Sequence, residues 1–497
     1  MNARPRKAYT NPMRAGWWLD AALLGLLLSL FLALAPPVGS APYGYDEADY
    51  MYAVTLGAHA SYCDSPSLAV ADFLRMGLES GRGAARRSDL SQYIRSRNDV
   101  LFYRHWHGPL YYYPLMLAAP MWHYDERAVR RLGMLYHLLA FALLYGGLRW
   151  LVPGAEGRVA ALLAGCLYLF SPAAVRTAGA VMPHALFVLL YLAAVLLLGK
   201  FRETGRLACW WGAVAVTGLA LCTLEVGLVL VATLTACCWL ERKGVFAGWA
   251  PRRWARFLAQ SVGVLLGVVL LVWPAALWKF SLLKACLFMA YLSAKRQSAW
   301  GEVGFFDSWR QRLLGAPVEW GLVALAVAIW VCVPRRRIRA ALPALLFGGL
   351  MLASVLRVVS TYPRYTVTYL PALELFAGLV LAAALMRLRP VPRYALLAAA
   401  CLALLAASGR QLRRIQEPPR REAWALIDFV GAQRLDNRRI LVPQELIPVL
   451  HYYFPKTAFS GYQDEEEAAR LASTRQFDGV LSVQGTTPAY RPLAPGG

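Results

Sequence analysis

Long apolar runs alternate with short polar and basic segments along the first 408 residues of the chain. An α-helix rises about 1.5 Å per residue, so about 20 apolar residues are needed to cross the hydrocarbon core of a bilayer. Runs of this length predict a polytopic α-helical membrane protein with about eleven transmembrane helices, and thirteen at most. We place them at 17–35, 131–150, 158–173, 183–199, 207–223, 225–240, 257–277, 317–333, 340–358, 367–386 and 394–408.

The basic residues between these runs predict the orientation of the helices. Loops on the cytoplasmic side of a membrane carry an excess of Lys and Arg. With a cytoplasmic N-terminus, every basic cluster between the helices faces the cytoplasm. These clusters are Arg149 with Arg158, and the segments 200–206, 242–256, 335–339 and 387–393. The outer face then receives the large first loop 36–130, the loop 278–316, the turn 359–366 and the tail from 409. This pattern predicts a multi-pass protein of a bacterial inner membrane with a periplasmic C-terminal region.

Composition supports a membrane protein and argues against nucleic-acid binding. Of the 497 residues, 58% are apolar and 16% are charged, a balance that soluble proteins of this length rarely show. The formal net charge of +23 comes from clusters between apolar runs, which is typical of topology signals and not of a nucleic-acid-binding face. Only Cys63 and Cys286 of the nine cysteines fall outside the apolar runs, so a disulfide framework is not expected.

The residues after 408 have the pattern of a small α/β domain. A basic, Pro-containing linker at 410–421 precedes alternating helix-like and strand-like runs. These runs are 421–433, 440–443, 445–454, 464–474 and 479–483. We therefore predict a transmembrane domain over 1–408, then a linker and a periplasmic domain over 409–497. A domain of about 75 residues is near the lower limit for independent stability, and we expect it to shape the access of an acceptor.

An acidic pair follows the first apolar run. The sequence Tyr43-Gly-Tyr-Asp-Glu-Ala-Asp-Tyr50 places Asp46 and Glu47 at the outer membrane surface, close to lipid headgroups. A carboxylate in this place can take a proton from an acceptor hydroxyl group. Alternatively, Asp46 only caps a helix from Glu47 onward, with Asp49 completing a capping-box-like pattern. The spacing alone fits both roles.

A second polar cluster ends the first outer loop. The segment Arg104-His-Trp-His-Gly-Pro-Leu-Tyr-Tyr-Tyr-Pro114 runs from charged residues into aromatic ones, which is typical of a segment that re-enters the membrane interface. His105 and His107 could bind a metal or a phosphate, but ordinary polar loop residues show the same pattern.

Three further charged residues lie near predicted outer ends of helices. Arg364 could hold a lipid phosphate through paired hydrogen bonds, or it could be a helix-end cation that only reaches the interface. Glu225 lies at a helix corner, where a carboxylate needs a partner or solvent, and a plain turn residue fits equally well. Lys295 belongs to a loop, 279–312, that could close over a lipid donor or simply anchor to headgroups.

Together these motifs resemble those of a known family. They are the acidic pair followed by Ala-x-Tyr, the element His107-Gly-Pro-Leu-Tyr-Tyr112, and Tyr362-Pro-Arg-Tyr365 with Tyr369-Leu-Pro371. Their order, spacing and predicted side of the membrane are similar to those of C-type (GT-C) membrane glycosyltransferases of the protein O-mannosyltransferase and lipid A aminoarabinose transferase group. The second element departs by one residue from the usual His-Pro-Pro-Leu-Tyr-Tyr.

Two departures from this family concern donor binding. His184 lies where many relatives have an Asp at the outer start of the fourth helix. The segment Thr223-Leu-Glu-Val-Gly227 replaces one in which relatives often have a Lys beside a Gly, so the resemblance assigns no phosphate-binding Lys.

The resemblance implies a transferase that moves a monosaccharide from a polyprenyl-phosphate donor to a lipid, glycan or protein acceptor at the periplasmic face, with inversion. A leaving phosphate needs cations rather than a general acid. In this hypothesis Asp46 is the general base, Glu47 and His107 position Asp46 or a divalent cation, and a divalent metal ion is left open as a cofactor. The expected phosphate-binding residues are Arg364, Arg104 and Lys295; the supporting or metal-ligand candidates are His105, His107, His184 and Glu225; and the substrate-lining residues are Tyr45, Tyr111, Tyr112 and Tyr365.

Other classes of function stay open. A transporter or flippase of lipid-linked sugars usually carries charged groups near the bilayer midplane on broken helices, whereas the predicted membrane interiors here are nearly uncharged. A scaffold or a glycan ligase that uses a diphosphate-linked glycan is harder to exclude. Such a ligase would typically place its key groups in a large late loop, and the informative loop of this chain is the first.

Overall fold

The structure of the protein is a computed structural model. It describes residues 17–57, 107–280, 304–333, 335–356, 362–415 and 420–493, with short gaps at 463, 475 and 485–486, and the isolated positions 71, 282, 283 and 287.

Each of the eleven apolar segments predicted to cross the membrane contains a helix. The helices of this region are α1 (Trp17–Leu34), α2 (Tyr45–Leu56), α3 (Tyr112–Met121), α4 (Glu126–Leu151), α5 (Ala155–Leu169), α6 (Pro172–Ala178), α7 (His184–Thr204), α8 (Leu207–Leu221), α9 (Leu228–Leu240), α10 (Pro251–Val272), α11 (Ala275–Trp278), α12 (Phe305–Gly315), α13 (Pro317–Ile329), α14 (Arg335–Val355), α15 (Pro363–Val367), α16 (Leu370–Leu385) and α17 (Pro390–Arg413). Short 3₁₀ helices occur at Pro109–Tyr111, Glu225–Gly227, Glu241–Lys243 and Trp330–Cys332.

Length and composition identify the best candidates for membrane spans. Among the described residues, α4, α7, α10 and α17 are each long and apolar enough to cross a membrane alone. The pair α5 and α6 passes the same test jointly with a bend of 58°, and α12 with the helical segment that follows passes it with a bend of 91°. Both α6 and α13 begin with a proline, which cannot continue the hydrogen bonding of a preceding helix. The structure thus supports a polytopic helical protein, and the number of eleven spans stays a prediction.

The core of the bundle forms around α16, which packs against α5, α13 and α14. Close approach to α5 depends on a small residue. A Cβ atom at Gly378 would lie 2.7 Å from the Cβ of Ala164 and 2.9 Å from the carbonyl oxygen of Ala160. Small residues at such crossings are the usual means by which membrane helices pack closely.

Basic residues predicted to be cytoplasmic meet acidic partners at the ends of helices. Asp20 of α1 accepts hydrogen bonds from Arg149 at 2.9 Å and Arg158 at 2.8 Å. Arg202 of α7 lies 2.9 Å from Glu241. These contacts bring the predicted cytoplasmic ends of α1, α4 and α5 together.

Two buried carboxyl groups correct the expectation of nearly uncharged membrane interiors. Glu374 of α16 is fully buried, and neither carboxyl oxygen has a hydrogen-bond partner among the described residues. Glu319 of α13 is 2% exposed and interacts electrostatically with Glu374. Burial of such groups is costly and often marks function. Buried charge of this kind is compatible with a transporter.

The C-terminal region is a small α/β unit, as predicted. Its elements are α18 (Arg420–Ala432), β1 (Arg439–Pro443), α19 (Ile447–Tyr453), β2 (Ala458–Tyr462), α20 (Glu465–Ala472), β3 (Gly479–Gln484) and β4 (Thr487–Pro492). The sheet has the order β2-β1-β3-β4; β1 is parallel to both neighbours, and β4 is antiparallel to β3. Helix α17 continues to Arg413, so it includes the first residues of the predicted linker.

This C-terminal unit contacts the segment that leads into α2. The hydroxyl group of Tyr453 accepts a hydrogen bond from the backbone N–H of Tyr43 and donates one to Glu126, both at 2.9 Å. The indole N–H of Trp424 donates to the carbonyl oxygen of Ser40 at 3.2 Å. The domain therefore supports the backbone immediately before the acidic pair.

Candidate active site

Asp46 and Arg364 form an ion pair at the predicted outer end of the bundle. Asp46 lies in the first turn of α2, and Arg364 lies in the short helix α15 that precedes α16. The guanidinium group donates a hydrogen bond to the Asp46 carboxylate and lies 4.9 Å from the ring centroid of Tyr362 and 5.5 Å from that of Tyr365. Burial alone would lower the pKa of Arg364, but the charge of Asp46 raises it overall. Arg364 therefore stays positively charged.

Glu47 is bound by a buried arginine that the sequence reasoning missed. Arg130 of α4 donates to both carboxylate oxygens of Glu47, at 2.9 and 2.6 Å. The same guanidinium donates to the carbonyl oxygen of Ala41 at 2.6 Å, and the backbone N–H of Val181 donates to Glu47 at 2.8 Å. Glu47 thus joins the segment before α2 to α4 and to the start of α7. These contacts hold the backbone next to Asp46 in place.

The sequence did contain one signal for Arg130. A cation in the first turns of a helix is opposed by the positive end of the helix dipole, so it needs an acidic partner or solvent. Arg130 is 5% exposed, which leaves the acidic partner as the explanation.

The helix cap before Asp46 differs from the predicted one. Helix α2 begins at Tyr45 with Gly44 as its N-cap residue, and the backbone N–H of Gly44 donates to Glu47 at 3.1 Å. The proposed cap by Asp46 with Asp49 was therefore wrong. Because Asp46 is inside the first turn and does not cap the helix, its carboxylate can bind Arg364 or a ligand.

His107 and Glu225 form a second pair next to the first. The Nδ1 atom of His107 lies 2.9 Å from Glu225, and the ring packs edge-on against Tyr50 with centroids 5.8 Å apart. Burial alone would lower the pKa of His107, but the charge and hydrogen bond of Glu225, with the charge of Asp46, raise it above 6.5. His107 is therefore protonated more readily than a free imidazole.

Close backbone packing places this second pair. The backbone N–H of Leu110 donates to the carbonyl oxygen of Cys222 at 2.9 Å. A Cβ atom at Gly108 would lie 2.1 Å from the carbonyl carbon and oxygen of Cys222. Only glycine allows this approach, and it brings His107 to the turn that carries Glu225.

We expect Gly108→Ala to separate the two segments. Overpacking of this kind costs about 1–3 kcal/mol. The added Cβ atom would meet the backbone of Cys222, which cannot move aside as a flexible side chain can. The thermal unfolding temperature of the purified protein should fall. Gly146→Ala is the matched control, because a Cβ atom there meets nothing within 4 Å. An unchanged unfolding temperature for Gly108→Ala would show that the segments are not packed in this way.

His184 lies at the start of α7 and close to both pairs. It is 8% exposed, and its Nδ1 atom has no hydrogen-bond partner among the described residues. It interacts electrostatically with Arg364 and with His107. The structure thus brings His184 and Glu225 to Asp46, Arg364 and His107.

The predicted substrate-lining tyrosines separate into three groups. Tyr111 and Tyr112 are fully buried in an aromatic cluster with Tyr50 and Tyr136, and their role as substrate-lining residues stays a prediction. Both residues lie where the 3₁₀ helix Pro109–Tyr111 leads into α3. Tyr365 is half-buried beside Arg364. The side chain of Tyr45 lies outside the described part of the structure, as do Arg104, His105 and Lys295.

The described residues do not fit a metal ion. Within the described ranges, no three His, Cys, Asp or Glu side chains lie close enough to hold one. Both oxygens of Glu47 face Arg130, and the Nδ1 atom of His107 faces Glu225.

Comparison of the sequence with protein-family models finds no match, and comparison with curated proteins finds none either. Comparison of the fold finds solved structures that align over nearly the whole chain. ArnT from Cupriavidus metallidurans bound to undecaprenyl phosphate aligns with a TM-score of 0.58 and 14% identity, over 94% of this chain and 93% of that chain. The chain has the GT-C glycosyltransferase fold.

A second GT-C structure supports the same conclusion. The Archaeoglobus fulgidus oligosaccharyltransferase in complex with Zn and sulfate aligns with a TM-score of 0.58 and 12% identity, over 93% of this chain and 67% of that chain. The GT-C fold predicted from three short motifs is thus confirmed. Since identity this low shows the fold alone, the reaction and its substrates are matters for a proposal.

Proposed function

We propose that the protein is a glycosyltransferase that moves a monosaccharide from a polyprenyl-phosphate donor to a hydroxyl group of a lipid, glycan or protein acceptor, at the periplasmic face of a bacterial inner membrane. The observation that carries this proposal is the pairing of Asp46 with Arg364. It places a proton acceptor next to a cation suited to phosphate. The GT-C fold and the undecaprenyl phosphate bound by ArnT support it.

The reaction requires Arg364 to exchange partners. In the free protein its guanidinium group is bound to Asp46, and a carboxylate held in this way is not free to accept a proton. The donor phosphate replaces Asp46 as the partner of Arg364. Binding of the donor thereby releases the base, so the proton acceptor becomes available only when there is a sugar to transfer.

The chemical step is a single displacement. The acceptor oxygen attacks the anomeric carbon while Asp46 takes the hydroxyl proton. The bond between the anomeric carbon and the phosphate oxygen breaks on the opposite face, and polyprenyl phosphate leaves with the electron pair. The configuration at the anomeric carbon is inverted. Because negative charge grows on the leaving phosphate, Arg364 binds the transition state more strongly than the ground state.

The test of this function is transfer of radiolabelled sugar from a polyprenyl-phosphate donor pool to endogenous acceptors. Membranes that contain the wild-type protein are compared with membranes that lack it. We expect labelled acceptor only in the membranes that contain the wild-type protein. Absence of transfer from any such donor, at confirmed expression, would contradict the proposal.

A graded variant tests the phosphate role of Arg364. Lys keeps the charge but loses the paired donors of a guanidinium group. One charge-assisted hydrogen bond is worth about 1.5 kcal/mol or more, so Arg364→Lys should weaken donor use about tenfold. Arg413→Lys, at an exposed position, is the matched control. Equal donor dependence of the two variants would remove Arg364 from the phosphate site.

A transporter of lipid-linked sugars is the second candidate, favoured by the buried carboxyl groups of Glu319 and Glu374. These groups lie on helices inside the bundle, where transporters often hold polar residues. The same membranes separate the two functions, because a transporter would move the labelled donor across the bilayer and leave the sugar attached to it.

A further inference from the structure

In the proposed reaction, negative charge develops on the leaving phosphate and must be stabilised. A phosphate group that leaves as a dianion is stabilised by cations placed around it, and the segment 223–227 of this chain contains no lysine. Within the described site, Arg364 begins the cycle paired with Asp46. A second cation close to that pair would stabilise the leaving phosphate further.

We infer that His107 and Glu225 form a second phosphate-binding element, in which the His107 imidazolium, oriented by Glu225, binds the donor phosphate together with Arg364. This inference rests on the proposed function and deepens it. It assigns His107 as a ligand-binding residue and Glu225 as a positioning residue.

The geometry of the pair leaves one nitrogen for the ligand. The Nδ1 atom of His107 faces Glu225 at 2.9 Å, so Nε2 is the remaining ring donor. The His107 side chain is 23% exposed, whereas that of Glu225 is 11% exposed. The histidine therefore forms the accessible face of the pair and the glutamate lies behind it.

The charges around His107 favour donation over proton abstraction. Five groups face the ring or interact with it, namely Glu225, Asp46, Arg364, His184 and Tyr50. The two carboxylates stabilise the imidazolium and Arg364 opposes it. An imidazolium has no lone pair at Nε2, so it serves as a cationic donor for an anion and not as the general base.

Two sequence features produce this element together. Glycine at position 108 lets the chain approach Cys222, and the acidic residue at position 225 then meets the histidine beside that glycine. A larger residue at 108 would move His107 away from the turn. The pair therefore depends on the identity of both residues and not on the fold alone.

The experiment is equilibrium binding of undecaprenyl phosphate to the purified full chain in detergent, followed by tryptophan fluorescence. His107→Asn retains a donor near the position of Nδ1 but removes the charge. It should weaken binding about tenfold to a hundredfold. His123→Asn is the matched control, because His123 is exposed and has the positive φ of 50° that asparagine tolerates. Unfolding temperatures check that both variants are folded.

The pH dependence adds a readout that a purely structural role would not change. Because Glu225 raises the pKa of His107, wild-type binding should be strong below that pKa and weaken as the pH rises through it. Glu225→Gln should move this weakening to lower pH. In the His107→Asn variant, binding should not weaken as the pH rises over this range.

The outcomes separate the inference from the proposed function. Failure of the wild-type protein to bind undecaprenyl phosphate would overturn both. Binding by the wild type that is lost in Arg364→Gln but equal in His107→Asn and His123→Asn would overturn the inference alone. A pH profile that Glu225→Gln does not shift would overturn the positioning role of Glu225.

Discussion

Replacement of Asp46 by asparagine is expected to lower the rate of sugar transfer by a factor of about a hundred or more, because loss of a general base typically has an effect of this size. The amide is nearly identical in shape to the carboxylate but cannot accept a proton. Rates are measured in membranes at matched expression with saturating donor. The change should appear mainly in kcat, since Asp46 leaves Arg364 when the donor binds.

A matched control separates chemistry from folding. Asp428 is exposed on α18, and Asp428→Asn makes the same chemical change outside the Asp46–Arg364 and His107–Glu225 pairs. It should keep the wild-type rate. Equal rates for Asp46→Asn and the wild type would remove Asp46 as the base and leave its ion pair with Arg364 as a structural contact.

Replacement of Arg130 by methionine is the second change with a large expected effect. Glu47 and Arg130 are 8% and 5% exposed, and removal of one partner leaves the other charge buried and unpaired. Such changes cost about 3–5 kcal/mol. The segment before α2 also loses the donor to the Ala41 carbonyl oxygen. The unfolding temperature of the purified protein should fall markedly, and the position of Asp46 should be lost with it.

The double variant Glu47→Gln with Arg130→Met provides the internal control. Because it removes both charges, it should recover part of the stability that either single variant loses. Additive losses would show that the two residues do not interact. Full transfer activity in a folded Arg130→Met variant would show that the Glu47–Arg130 pair does not position Asp46.

Local patterns in the sequence were sufficient for most of the fold. Apolar runs of membrane length became helices because the period and length of the runs carry that information directly. Strands β2 and β4 were missed because both are short edge strands; β2 contains Gly461, and β4 contains Pro488 and Pro492. Edge strands tolerate such residues, so their sequences lack a clear strand pattern.

The site was only partly predictable, since its pairs join distant segments. Asp46 and Arg364 are 318 residues apart and Glu47 and Arg130 are 83 apart. The predicted topology could place Asp46 and Arg364 on one face but could not show that they bind each other. The role of Glu47 depends on Arg130, which no motif marks and which only its position near a helix start could have suggested. The burial of Tyr111 and Tyr112 could not be predicted, because composition does not show which way an aromatic run faces.

The most direct test of the central claim is release of free polyprenyl phosphate by the purified full chain, reconstituted in liposomes with a polyprenyl-phosphate-linked radiolabelled sugar and a membrane extract as the source of acceptor. The proposed function predicts that polyprenyl phosphate appears in equal amount to the transferred sugar, and that both fall by about a hundredfold or more in Asp46→Asn. Reconstituted wild-type protein that leaves the donor intact, or releases the phosphate equally well without Asp46, would contradict it.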